Sequence, residues 1–233
     1  MSTVDRRSGQ GLSPFYPPQA RLVESVVSVW TLERRSVGDA AAREVPLPEL
    51  PEVQRSRRDY SPRAISRRGV IPQAYLSQHL ARLACENAGK RLCSEAEWIT
   101  ACRGEQMRKF PYAEQYDPDA CNVYRPVHPA ALLHGASWYG HRDPRLNLVT
   151  EHDGKPLLRL TGASPRCASE WHGDRIYDMA GNIDEWVDDE RGLFLGGFYA
   201  RSTREGCEAR VGSHAPPYYD YSTGGRCCRA AAP

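Results

Sequence analysis

The chain has 233 residues, with 31 Lys or Arg against 29 Asp or Glu and a formal charge of +2 at neutral pH. That length can bury one large core or two small ones, the charge balance gives no general pull toward nucleic acid or anionic lipid, and no run of about 18 apolar residues is present to span a bilayer. Eighteen prolines, 19 glycines and a mean hydropathy of −0.62 point to a loop-rich domain with little regular structure.

Residues 1–59 read as an N-terminal segment packed in part on a main domain of 60–233. A Pro-containing opening (Pro14, Pro17, Pro18) leads to one apolar stretch, Leu22 to Leu32, rich in β-branched residues and expected as a strand added to the main sheet. Val45 to Val53, rich in Pro and Glu, is expected as an ordered or semi-ordered loop. Arg55, Arg57, Arg58, Arg63, Arg67 and Arg68 make the next stretch locally basic and a contact surface in a recognition-module reading. Only Lys90, Lys109 and Lys155 among the basic residues are lysine. This bias reflects overall composition and weakens any single arginine as a selected ligand.

Two helices with clear punctuation follow. Ser77 is placed to cap the first, whose Leu80, Leu83, Ala84 and Ala88 keep helical spacing up to Gly89. Ser94-Glu-Ala-Glu97 is a capping box for the second, which carries Trp98 and Cys102 and stops at Gly104. Beyond it, turn residues recur every few positions, with short strands expected at 192–199 and 225–229. The whole reads as α+β with long loops.

Asp178-Met-Ala-Gly181-Asn182-Ile183-Asp184-Glu185-Trp186 places two acids around a glycine turn. Calcium takes six to eight oxygen ligands, which Asp178 and Glu185 could supply with the carbonyls of Gly181 and Ile183. The plain alternative is an acidic surface turn with Asn182 as a helical N-cap. Eight cysteines (85, 93, 102, 121, 167, 207, 227, 228) lack the close pairs of a zinc site, so disulfides explain them better. Disulfides imply a secreted or periplasmic setting. The polar run Met1 to Gly11 is no secretory leader, and a cytoplasm with reduced thiols is the alternative.

Gly89-Lys-Arg-Leu-Cys-Ser-Glu-Ala-Glu-Trp98, Tyr177-Asp-Met-Ala-Gly-Asn-Ile-Asp-Glu-Trp186 and a Gly-Gly strand ending in Gly224-Gly-Arg-Cys227 resemble, in this order, the formylglycine-generating enzyme or sulfatase-modifying factor family. The resemblance implies a C-type-lectin-like fold of low secondary-structure content and calcium at one or two sites. The first site would be Asp178, Gly181, Ile183 and Glu185. The second would begin at Asn122 and Val123, with Asp143 a weak further candidate. The resemblance also implies bridges Cys85–Cys227 and Cys102–Cys207. Counting alone leaves 105 pairings open for eight cysteines; the other four would be Cys121–Cys167, which flank the long loop, and Cys93–Cys228, the remainder.

The family's enzymes oxidise a substrate cysteine with two cysteines of their own that bind copper. Aligned from Gly196-Gly197, those positions are Arg201 and Gly206 here, and neither can hold Cu(I). Asp184, Phe198 and Gly225 replace a usual Trp, Ser and Phe. The resemblance therefore implies a domain without formylglycine-generating activity. Arg201, Arg204, His214, Tyr218, Tyr219 and Tyr221 would form its ligand groove, suited to a peptide, glycan or small anion. Two alternatives stand beside it. One is an oxidoreductase of the same superfamily using a non-cysteine site, with iron or no metal at all, copper being disfavoured; the other is a scaffold or recognition module. His128, His134 and His141 lie in a loop at six- and seven-residue spacing and are expected to be solvated rather than ligands.

Overall fold

A computed structural model describes residues 1–36, 46–126, 128–134, 138–151, 153–201 and 203–230. Within them, no strand exceeds four residues. β1 (Ser2–Asp5) pairs antiparallel with β2 (Pro62–Ile65), which joins the N-terminal segment to the start of the main domain.

Between these strands lies α1, Ala20–Ser36, a helix where the sequence reading expects a strand. Its Val23, Val26 and Trp30 are buried in the largest core cluster with Tyr16, Tyr75 and Tyr199, with Val27 packed partly against it, whereas Val29 is 47% exposed. Positions 23, 26, 27 and 30 recur at three and four residues, the spacing of one helix face. Burial of that face outweighs the modest strand preference of β-branched side chains. Residues 46–50 form a loop, and α2 (Glu52–Ser56) follows it, held by Gln54, whose Oε1 accepts from the Ser13 amide at 2.6 Å. Val45 lies outside the described residues.

α3 (Gln78–Glu86) begins as its sequence demands, with Ser77 Oγ accepting from the Leu80 amide. α4 (Glu95–Arg103) carries both halves of the capping box: Glu97 N–H donates to Ser94 Oγ, and the Glu97 carboxylate accepts from the Ser94 amide. Arg91 forks onto the same carboxylate, and these hydrogen bonds hold the Glu97 pKa down at about 2. β3 (Arg91–Leu92) runs between the helices.

The remainder is loop, a short helix α5 (Pro129–His134), a hairpin of β4 (Ala168–Trp171) and β5 (Asp174–Tyr177), and a four-stranded sheet. That sheet has the order β8 (Arg210–Val211), β7 (Phe194–Leu195), β6 (Asp184–Trp186), β9 (Thr223–Gly225), with β6 and β9 parallel. Of the stretch 192–199, only Phe194–Leu195 is strand, because Gly196 and Gly197 both take positive φ and turn the chain back. β10 (Cys227–Cys228) pairs with β3.

Four disulfides close the fold: Cys85–Cys227, Cys93–Cys228, Cys102–Cys207 and Cys121–Cys167. Adjacent residues of a strand point to opposite faces. Cys227 accordingly joins the core cluster of Trp186 and Leu76, and Cys228 the separate cluster of Trp98 and Cys102.

Candidate functional site

Three features meet at the four-stranded sheet. The first is the turn entering β6. Asp178, Gly181 and Asn182 all adopt positive φ, and a Cβ at Gly181 would strike the Asn122 carbonyl. Asn182 caps no helix. Its Oδ1 accepts from Asn122 Nδ2 and the Arg159 amide, each at 2.9 Å, and its Nδ2 donates to the Arg159 carbonyl.

Asp178 and Glu185 line one cleft of about 490 Å³. Asp178 Oδ2 accepts from the Gly162 amide at 2.7 Å, yet burial still raises its pKa. Glu185 is more fully engaged: Arg226 donates to both of its oxygens, and Trp98 Nε1 donates to one at 2.8 Å. Among the described residues no three His, Cys, Asp or Glu side chains converge as a metal site. A cation here would rest on two carboxylates and main-chain oxygens, of which the Gly181 carbonyl already accepts from the Ile183 amide. Oxygen donors suit calcium in kind, but both Glu185 oxygens are already engaged by Arg226, which leaves Asp178 as the carboxylate of the two without a cationic partner among the described residues.

The second calcium position fits less well. Asn122 spends its Nδ2 on Leu157 and Asn182, and its Oδ1 accepts from Arg125 Nε at 3.0 Å. Val123 packs against the Cys121–Cys167 bridge. Asp143 has a different role: it is fully buried and accepts from Arg145 and from His134.

The second feature is Asp184, on β6 and fully buried. One oxygen accepts from Arg201; the other has no partner among the described residues. Burial pushes its pKa up to about 7, opposed by Arg201 and reinforced by the nearby charge of Asp220. The Arg201 guanidinium also lies over Phe198 and Phe194, 5.4 and 6.0 Å from their centroids. Gly206, with φ +64, has no room for a side chain, since a Cβ would strike the Lys109 carbonyl. Cys207 beside it is bonded to Cys102, and the chain has no free cysteine.

The third feature is a cleft of about 750 Å³ between α1 and the C-terminal loop, lined by Val26, Trp30, Arg142, His214, Tyr218 and Tyr219 among others. His214 stacks on Tyr218 at 3.9 Å and on Phe194 at 5.7 Å. Tyr218 donates to Asp220 at 2.5 Å, and Arg142 sits 4.5 Å over the Tyr219 ring. The structure thus gathers His214, Tyr218 and Tyr219 of the expected groove, with Arg201 behind Phe194. It does not bring in the other two. Arg204 is exposed over Tyr116, and Tyr221 is buried, meeting His128 Nε2 at 2.9 Å. Of the loop histidines, His128 and His134 are engaged by Tyr221 and Asp143 rather than free in solvent, whereas the His141 side chain is 37% exposed and only 3.9 Å from Asp220. His152 lies outside the described residues. Trp30, Arg142 and Asp220 were missed as cleft residues, and the helical spacing of α1 was the signal that could have found Trp30.

Residues 43–231 match the family described as the sulfatase-modifying factor enzyme 1-like domain, and the chain belongs to that family. The formylglycine-generating enzyme of Mus musculus is 32% identical over 127 residues, which are 54% of this chain and 29% of that protein. Its counterpart in Thermomonospora curvata is 29% identical over 130 residues, 54% of this chain and 36% of that protein. The match therefore spans only about a third of these relatives' length. Among solved structures, PvdO from Pseudomonas aeruginosa is 18% identical, with a TM-score of 0.42 over 66% of this chain and 60% of that one.

Proposed function

We propose that this domain binds a ligand in the cleft between α1 and the 214–220 loop and performs no thiol oxidation. The observation that carries the reading is the exchange at the family's active positions. Arg201 is tied to buried Asp184, Gly206 admits no side chain, and Cys207 is held in a bridge. No thiolate is left to hold Cu(I) or to exchange with a substrate thiol. The cleft's aromatic and apolar wall, with Arg142 and Asp220 at its edge, suits a peptide or glycan that presents a flat or apolar face beside a charge.

Two tests bear on this. Protein incubated with Cu(I), oxygen and a cysteine-containing peptide is expected to form no aldehyde; aldehyde formation ends the reading. On peptide and glycan arrays, Trp30→Ala is expected to abolish the strongest binding while Arg204→Ala leaves it intact, and the reverse pattern places the ligand elsewhere.

Calcium at Asp178 and Glu185 belongs to the same proposal, as does an extracytoplasmic setting in which four disulfides persist. A cation that binds only the folded state raises stability by mass action. Calcium added to chelator-treated protein is therefore expected to raise Tm, and Asp178→Asn to remove the rise. An unchanged Tm in the parent protein removes calcium from the proposal. Among the described residues no helix is long and apolar enough to cross a membrane.

A further inference from the structure

The basic stretch singled out in the sequence does not act as one patch. Arg55 pairs with Glu49 and Glu52, Arg57 with Asp5 and Asp59, and Arg58 with Glu24. Arg67 and Arg68 have no acidic partner among the described residues and line the 490 Å³ cleft whose floor holds Asp178 and the Glu185–Arg226 pair. Arg175 joins them from β5, and its only carboxylate contact among the described residues is Glu170 at the outer limit of 3.9 Å.

These three exposed guanidinium groups are arranged on a fixed frame. The Arg67–Val70 turn is pinned to the 161–162 loop: Thr161 Oγ1 donates to the Arg67 carbonyl at 2.7 Å, the Gly69 amide to the Thr161 carbonyl, and the Thr161 amide to the Val70 carbonyl. The Arg68 stem lies directly over Gly162, where a side chain would crowd it. Arg68 and Arg175 both lie over the Tyr177 ring, at 5.2 and 5.6 Å from its centroid. Stacking of this kind orders a guanidinium while leaving its N–H groups free to donate.

We infer that this arginine-rimmed cleft, on the β5 side of the Asp178 turn, binds a tetrahedral oxyanion, phosphate or sulfate, borne by a small molecule. Arg67, Arg68 and Arg175 outweigh the one floor carboxylate, Asp178, that lies outside the Glu185–Arg226 pair. Guanidinium forks match such oxygens bidentately. The cleft volume exceeds what a bare ion fills and falls within the range of small-ligand sites, so the ester is the expected ligand, with Pro72 and Ile176 of the same lining available to its organic part.

The test is calorimetric titration of chelator-treated full chain in low salt with inorganic phosphate and, separately, phenyl phosphate, repeated for Arg68→Gln/Arg175→Gln. Both positions are exposed, so the variant should fold, and an unchanged Tm checks this. Saturable binding is expected, with phenyl phosphate tighter and the double variant weaker by about tenfold or more, the loss of at least one charge-assisted contact. Tighter inorganic phosphate that is equally sensitive to the variant keeps the site but makes the free ion its ligand. No saturable binding of either probe, or binding the variant leaves unchanged, overturns the inference. None of these outcomes depends on the aromatic cleft, which lies on other residues.

Discussion

At the scale of single residues, the buried Asp184–Arg201 pair should be visible in titration. A carboxyl whose pKa rises on folding binds an extra proton in the native state, so stability falls as pH rises between the unfolded and folded values. For Asp184 that window runs from the ordinary carboxylate range up to about 7. Asp178 also has a raised pKa, so the group must be isolated by difference. The urea midpoint of the parent relative to Asp184→Asn is therefore expected to be higher near pH 5 than near pH 8, with no further change at higher pH. A difference that does not depend on pH would show that Asp184 is ionised throughout. Neither residue's partner was legible in the sequence. Each could be seen to replace a family residue, but their pairing across 17 positions depends on the Gly196–Gly197 reversal, which a linear reading does not bring back onto β6.

At the scale of elements, legibility followed how local the deciding interactions were. The caps at Ser77 and Ser94 bond within three residues, so the starts of α3 and α4 could be read directly. In α1, local preference and long-range burial disagree, and burial against Tyr75 and Tyr199 decides. This contrast can be measured: Val26→Asp places a charge in the core and should cost several kcal/mol, on the order of 3 to 5. Val29→Asp, on the exposed face, should stay within about 0.5 kcal/mol by urea unfolding. Equal effects would mean that the helix presents a different face. The aromatic groove was legible only in part for the same reason. His214, Tyr218 and Tyr219 are neighbours in sequence, while Trp30 and Arg142 reach them only through folding.

At the scale of the whole molecule, covalent links compensate for strands of two to four residues. Denatured protein should show no free thiol, and the Cys102→Ala/Cys207→Ala double variant should lose about 4 to 5 kcal/mol in the chain-entropy account, less any strain released. A loss near zero would mean that Trp98 and its neighbours hold this corner without the bridge. The arrangement of the links also matters to biosynthesis. Three of the four run from Cys85, Cys93 and Cys102 to Cys227, Cys228 and Cys207 respectively, across separations of 105 to 142 residues. During synthesis, those three early thiols emerge long before their proper partners exist. They face each other and the pair at 121 and 167 in the meantime, so correct maturation calls for a disulfide isomerase or for oxidation delayed until residue 228 has been made.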